Sequence, residues 1–374
     1  LSFLEKVPSD PLKNNADEAQ PVGIIVSPRN NSGIPWCNLT IALLYHELGY
    51  SVKIIWDDMA FLDPEWVHQN RAVGDFILLI NEKKHIPFVK ISEFSETDID
   101  EDDLKEIKRL SLANAVWNVR NVVPSVKLER YTELSEQAMI HNASKIATMY
   151  KCEQFSFCLH QSLINNNGGL HRWFGNKNNI RVGSLDMSLG RGVTGLQNVP
   201  GFREELPQLV DEKSKFFLFH ESEDRNAAIR AAKQEYEMRC MGKDEKKSQI
   251  ISIEEEPKEP AWDVLIPMNI LWDAAALSRN RFFPTPYHWI VETIDFILKQ
   301  TDATVAVRQH PHERTFEQYG TGTQLGKTIQ HKFGDNHRFR FYSSTEKVNS
   351  YRLVKQSKVI LPYTSTLGIE AALL

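Results

Sequence analysis

Three short apolar runs in the last third of the chain each end in polar residues able to hold an anion. Asn269 and Asp273 follow DVLIP (263–267), His310 follows ATVAV (303–307), and Thr364, Ser365 and Thr366 follow VIL (359–361). Arg308, two residues before His310, and Ser343 and Ser344, just after FRFY (339–342), stand at ends of the same kind. Hydroxyls and a neutral imidazole donate hydrogen bonds to phosphate oxygens, and an imidazole with an ordinary pKa of about 6.5 can instead protonate a leaving group. Pro311 fixes the turn after His310 and biases that residue towards an extended backbone. Beyond Thr366, GIEAALL (368–374) reads as a helix start, whose first N–H groups lack internal partners and favour negative charge. Plainer readings stand beside these. Thr364 or Ser365 is an N-cap, His310 a satisfied turn histidine, Asp273 a cap for the next helix, and Glu370 a solvated helix residue. His310 and His312 are two ligands without a nearby third, which is too few for a metal.

For these groups to meet one ligand, the runs must be parallel strands whose carboxyl ends share an edge. The pattern predicts that arrangement. Strands alternate with helices at about 287–300, with Trp289, Ile290, Ile294 and Ile297 or Leu298 on one face, and at 348–356. Earlier, PVGIIVS (21–27), the loop PRNNSGIPW, NLTIALLYHEL (38–48), Gly49 and SVKIIW (51–56) form the opening βαβ of a doubly wound domain, with Asn31, Ser32 and Gly33 facing its cleft. The loop is no G-x-G-x-x-G fingerprint, so no dinucleotide is expected. FILLI (76–80) predicts a third strand, 93–106 an acidic lead into a helix, and 128–150 one long helix. Residues 161–195, dense in Gly and Asn and holding His171, Arg172, Asp186 and Arg191, predict a loop region at the cleft. FFLFH (216–220) reads as a strand and 224–241 as an exposed helix. The charged stretch 242–260 sets a boundary, giving domains 1–255 and 256–374.

At 374 residues and 41% hydrophobic, the chain has room for two domains. No apolar run approaches the roughly 18 residues of a spanning helix, and LSFLEKVPSD has no signal-peptide pattern, so a soluble cytoplasmic protein is expected. The four cysteines are irregularly spaced and read as reduced thiols. The net charge of -5 is uneven, with ten Lys/Arg against six Asp/Glu over 301–374. That locally basic end suits a small anionic ligand; nucleic acid would call for a denser basic stripe interleaved with aromatics.

NILWDAAAL (269–277), HWIVETI (288–294), VRQHPHE (307–313) and KVNSYRLVKQSKVILPYTSTLGIEAAL (347–373) resemble the bacterial capsule polysaccharide biosynthesis proteins, which include the capsular Kdo transferases. More distantly they resemble the bacterial sialyltransferases that share a His-Pro motif. The likeness covers the second domain and extends to the first only in layout. It implies a GT-B glycosyltransferase, an α/β protein of two Rossmann-like doubly wound domains facing a cleft. The C-terminal domain would hold a CMP- or UDP-linked sugar and the N-terminal one a glycan or glycolipid acceptor.

By position, the resemblance implies that His310, Ser365 and Thr366 lie at the donor phosphate and Glu370 near the ribose or base. Asn269, Asp273, Arg308, Ser343, Ser344 and Thr364 complete the candidate donor site, with Ser32 and Gly33 across from it. The acidic motif that supplies a base in the sialyltransferases has no clear counterpart, which leaves Asp186, His171 and Asp57 as candidates, Asp186 being taken as catalytic beside His310. No tightly bound cofactor, metal or nucleic acid is implied, the nucleotide-sugar being a substrate. The expected transfer is inverting and metal-independent, at the inner face of the membrane or within a capsule assembly complex. The family pattern continues past residue 374 into a Gly-Lys-Pro strand, so the donor domain is expected to be incomplete in this chain. The rival readings are an epimerase of the UDP-GlcNAc 2-epimerase type, a CDP-glycerol-type glycerophosphotransferase and a non-catalytic GT-B scaffold.

Overall fold

The computed structural model describes residues 20–28, 33–59, 66–160, 166–184, 186–187, 196–197, 223–241, 261–272, 277, 282–314 and 321–372. The chain divides into two units, Leu1–Asn114 with Thr132–Val210, and Ala115–Tyr131 with Asp211–Leu374. The sequence placed its boundary after residue 255.

In the first unit, β1 (Val22–Val26) is apolar along its whole length and every residue is buried, as a central strand covered on both faces must be. It pairs in parallel with β2 (Val52–Trp56) on one side and β4 (Phe157–His160) on the other, while β3 (Phe88–Lys90) and β5 (Val182–Ser184) lie at the edges. The order β3-β2-β1-β4-β5 puts the chain reversal between β1 and β4, where open α/β sheets place their ligands. The connections are α1 (Ile34–Glu47), α2 (Trp66–Lys84), α3 (Glu101–Val119), α4 (Val126–Cys152) and α5 (Gly168–Lys177). Three acidic residues open α3, as the sequence suggested.

Two expectations fail here. FILLI lies inside α2, not in a strand: Val73, Ile77 and Ile80 are buried at helical spacing, whereas Phe76, Leu78 and Leu79 are exposed. A five-residue apolar run fits either element, and only the flanking residues decide. The stretch 161–195 is not all loop either, since α5 and β5 lie within it and put His171 and Arg172 on a helix. A two-residue antiparallel ladder pairs β6 (Asp186–Met187) with β7 (Leu196–Gln197). The expected strand at 216–220 and the stretch 242–260 lie outside the described residues.

The second unit holds α6 (Glu223–Cys240) and a four-stranded parallel sheet of order β10-β9-β8-β11, built from β8 (Trp262–Pro267), β9 (Val305–Arg308), β10 (Phe339–Tyr342) and β11 (Ser357–Ile360). Its connections are α7 (Pro286–Gln300), α8 (Thr321–Phe333) and α9 (Ser350–Lys355), with α10 (Thr366–Ala371) after the last strand. Thr285 caps α7 by accepting from His288 N, and Pro286 opens the helix where a missing N–H is harmless. Ile290, Ile294, Ile297 and Leu298 are buried, on the face the spacing predicts. The register sets Pro267, Arg308 and Tyr342 level, so the residues just past β8, β9 and β10 share an edge.

Residues 115–131 belong to this second unit. There Arg120 stands at φ 56, a left-handed conformation that Gly or Asn usually takes after a helix. Its guanidinium lies 4.0 Å from the Trp117 ring centroid and 4.3 Å from that of Trp272. Two cation–π contacts of about 0.5–2 kcal/mol each are enough to offset the backbone strain. Among the described residues no helix is long and apolar enough to cross a membrane.

Candidate functional site

At the carboxyl edge of the second sheet, Asn269 follows β8 and is nearly buried. Its Oδ1 accepts from Thr364 N at 3.1 Å, which ties the loop after β8 to the loop after β11. The Thr364 side-chain oxygen is buried and has no hydrogen-bond partner among the described residues. Ser365 Oγ accepts from Leu367 N at 3.3 Å, the N-cap role weighed from sequence. Gly368 is needed for packing, because a Cβ there would come 2.6 Å from Pro362 Cγ. Thr366 opens α10. Glu370 is engaged twice, its Oε2 accepting from Tyr351 OH at 2.9 Å and its backbone oxygen from Tyr236 OH at 3.1 Å.

His310 is half-buried just past β9. Its Nδ1 accepts from His312 N at 3.2 Å, which puts the proton of the neutral ring on Nε2. Burial first, then His312 and Arg308, lowers its pKa to about 4. At neutral pH it is therefore an uncharged N–H donor. Arg308 ends β9. Its guanidinium is buried and donates to the backbone oxygens of Ser343, Glu346 (3.4 Å) and Val348 (3.2 Å), so it shapes the turn after β10. Burial lowers even this group, to about 10.

In that turn, Ser343 N donates to Glu346 Oε1 at 2.8 Å and Ser344 N to Gln309 Oε1 at 2.9 Å. Ser343, Ser344 and Thr345, with Gln309, Phe341 and the Lys327 to His331 face of α8, line a groove of about 600 Å³. Glu313, in the turn after Pro311, is buried with Gln309 Nε2 donating to its Oε2. Burial raises its pKa to about 7 against that one hydrogen bond. Sequence reading passed over Gln309 and Glu313. The signal lay in VRQHPHE, where polar residues continue a buried strand into a turn.

The first unit has its own polar centre at the ends of β1, β2 and β4. Asp57 is 1% exposed. Ser27 Oγ donates to its Oδ2 at 2.9 Å, and Asn167 Nδ2 reaches both oxygens at 3.0 and 3.1 Å. His171 Nε2 stands 3.5 Å from Oδ2, an electrostatic contact with no formed hydrogen bond, while its Nδ1 faces Tyr150 OH at 3.3 Å. His160 Nε2 lies 3.3 Å from Ser27 Oγ. Burial alone would raise the Asp57 carboxyl, but His171, Asn167 and Ser27 together hold it below the usual carboxylate range. Two of the three base candidates, Asp57 and His171, thus meet. Asp186 lies in the β6 ladder and its side chain is outside the described residues, as are Asp273 and Ser32. Gly33 stands at the start of α1 with a helical backbone. Ser27, His160 and Asn167 were missed, although Ser27 directly follows the strand VGIIV and His160 ends the strand FCLH. No group of three or more potential metal ligands occurs among the described residues.

No family model, curated protein or solved structure matches this chain.

Proposed function

We propose that this chain is a GT-B glycosyltransferase that moves a sugar from a CMP- or UDP-linked donor to a glycan or glycolipid acceptor in capsule or other surface polysaccharide synthesis. One observation carries the reading. On one edge of a parallel sheet, a neutral imidazole donor, a buried and unpartnered threonine hydroxyl and a groove of about 600 Å³ follow successive strand ends. That volume lies in the range of small-molecule and cofactor sites, roughly 300–1,000 Å³. The second sheet is the donor side of this reading, and the first unit, with the same doubly wound layout, takes the acceptor.

In the transfer, the acceptor oxygen bonds to the anomeric carbon as the bond from that carbon to the phosphate oxygen breaks, and the acceptor proton passes to a base of the first unit, for which Asp186 and His171 are the candidates. The bonding pair leaves with the nucleotide, and the configuration inverts. His310 Nε2–H and the Thr364 hydroxyl donate to the oxygens on which charge develops. Fixed donors of this kind are worth about 3–4 kcal/mol each in the transition state. Asp57 has both oxygens engaged, which suits it to hold Ser27 and the helix α5 more than to take the acceptor proton itself.

A thermal-shift screen with CMP, UDP, CDP and GDP tests the reading. The matching nucleotide should stabilise the chain by about 2.7 kcal/mol at one hundred times its dissociation constant, and silence from all four would refute donor binding. With the donor identified, His310→Ala should lower turnover by about two or more orders of magnitude. Incubating donor alone separates transfer from epimerisation, since only an epimerase would isomerise the sugar without an acceptor.

A further inference from the structure

We propose that Glu313 and Gln309 form a positioning couple that holds the His310 turn and the Ser343–Ser344 turn at a fixed distance, and so shapes the groove for its nucleotide. The inference rests on the donor-site reading but assigns two residues that reading does not use.

The connection can be followed atom by atom. Glu313 N donates to His310 O at 3.0 Å, closing the turn that carries the imidazole. Gln309 Nε2 donates to the Glu313 carboxyl, and Gln309 Oε1 accepts from Ser344 N at 2.9 Å. Gln309 N is itself fixed by Tyr342 O at 2.9 Å. A single buried amide therefore reads both turns at once. Gln309, Glu313 and Ser344 are all at most 4% exposed, so water does not substitute for any of these bonds.

The chemistry is an expensive way to fill space. A carboxyl buried against one neutral amide among the described residues is disfavoured in its charged form, and an aliphatic side chain of similar volume would fold more cheaply. What a leucine lacks is the acceptor that orients Gln309. Loss of it frees the Gln309 amide to rotate, and with it the Oε1 that anchors Ser344 N on the groove wall. Glutamine at 313 keeps an acceptor oxygen at the same reach without the charge.

The experiment compares wild type, Glu313→Leu and Glu313→Gln in the full chain by two measurements. The first is amide hydrogen exchange at Ser344, which needs no ligand. The second is titration with the nucleotide that shifts the wild type most among CMP, UDP, CDP and GDP. Glu313→Leu should be at least as stable as wild type, yet exchange faster at Ser344 and bind nucleotide about tenfold more weakly, the loss of roughly one hydrogen bond. Glu313→Gln should restore both. Unchanged Ser344 exchange and unchanged affinity in Glu313→Leu would overturn the couple while leaving the donor-site reading intact. A wild type that binds no nucleotide would overturn the donor-site reading, and with it the role of the couple in binding, even if Ser344 exchange responds as expected. If Glu313→Leu does not fold, Gln309→Leu is measured in the same way, since it cuts the link from the other side.

Discussion

Asp57 and Glu313 are both buried carboxyls, and their surroundings push them in opposite directions. Asp57 is held low by His171, Asn167 and Ser27 against its burial. Its contribution to stability is therefore present above the unfolded value, about 3.9, and lost as pH falls through the lower folded one. Asp57→Asn puts an amide where two or three donors converge, and chemical denaturation at pH 7 should show a loss of about 2–4 kcal/mol. A loss under about 0.5 kcal/mol, the scale of an ordinary surface change, would mean that the network is slack. For Glu313, raised to about 7, the sign reverses. Its contribution is complete below the unfolded value of about 4.3 and disappears as pH rises through about 7, on the order of 3 kcal/mol in all. Glu313→Gln should flatten the fall in unfolding free energy between about pH 4 and about pH 7, and parallel curves for the two proteins would exclude this. Neither environment could be read from the sequence. Asp57 looked like one acidic residue after a strand, because its partners come from residues 27, 167 and 171. The hydroxyls and His310 could be named as candidates because each lies within a few residues of the end of its strand.

At the level of elements, strands were easier to locate than what joins them. VGIIV is apolar throughout and DVLIP and ATVAV are apolar but for Asp263 and Thr304, and turn residues bound all three, so the burial of their apolar residues on both faces follows from composition. FILLI has the same composition, but the hydrogen bonding of α2 decides its form, and no local feature of five residues reveals that. Asn and Gly across 161–195 suggested a loop, yet a ten-residue helix forms there with Gly168, Gly169, Leu170, His171, Phe174 and Gly175 buried. Packing outweighed propensity, which is weak over so short a span. The turn between β11 and α10 tests how tightly elements set the site. Gly368→Ala brings a methyl against Pro362, so either the helix or the proline must move. The variant should lose about 1–3 kcal/mol of stability, read from its denaturation midpoint, and should weaken nucleotide binding through displacement of Thr364. A variant unchanged in both would show that the turn has room to spare.

On the scale of the whole molecule, the sequence indicated two α/β parts and the structure has two parallel sheets, each with its first strand inside the sheet and flanked on both sides. The order of the strands was not legible, because nothing in a strand's own residues says which neighbour it pairs with. Nor was the division of the chain: the second unit takes in residues 115–131, far upstream of its sheet. That excursion brings Trp117 and Arg120 against Trp272, with the two indole centroids 6.0 Å apart. Neither unit is thus one uninterrupted piece of polypeptide. A gene fragment started at residue 256 would encode all four strands of the second sheet and still leave Trp272 without the tryptophan and arginine that cover it. Such a fragment should aggregate or show red-shifted tryptophan emission, whereas the whole chain should not; a soluble fragment with cooperative unfolding would refute this. The order of codons and the order of folding units differ here, so a swap between homologous genes that keeps this part of the protein working must exchange two separate stretches of DNA together.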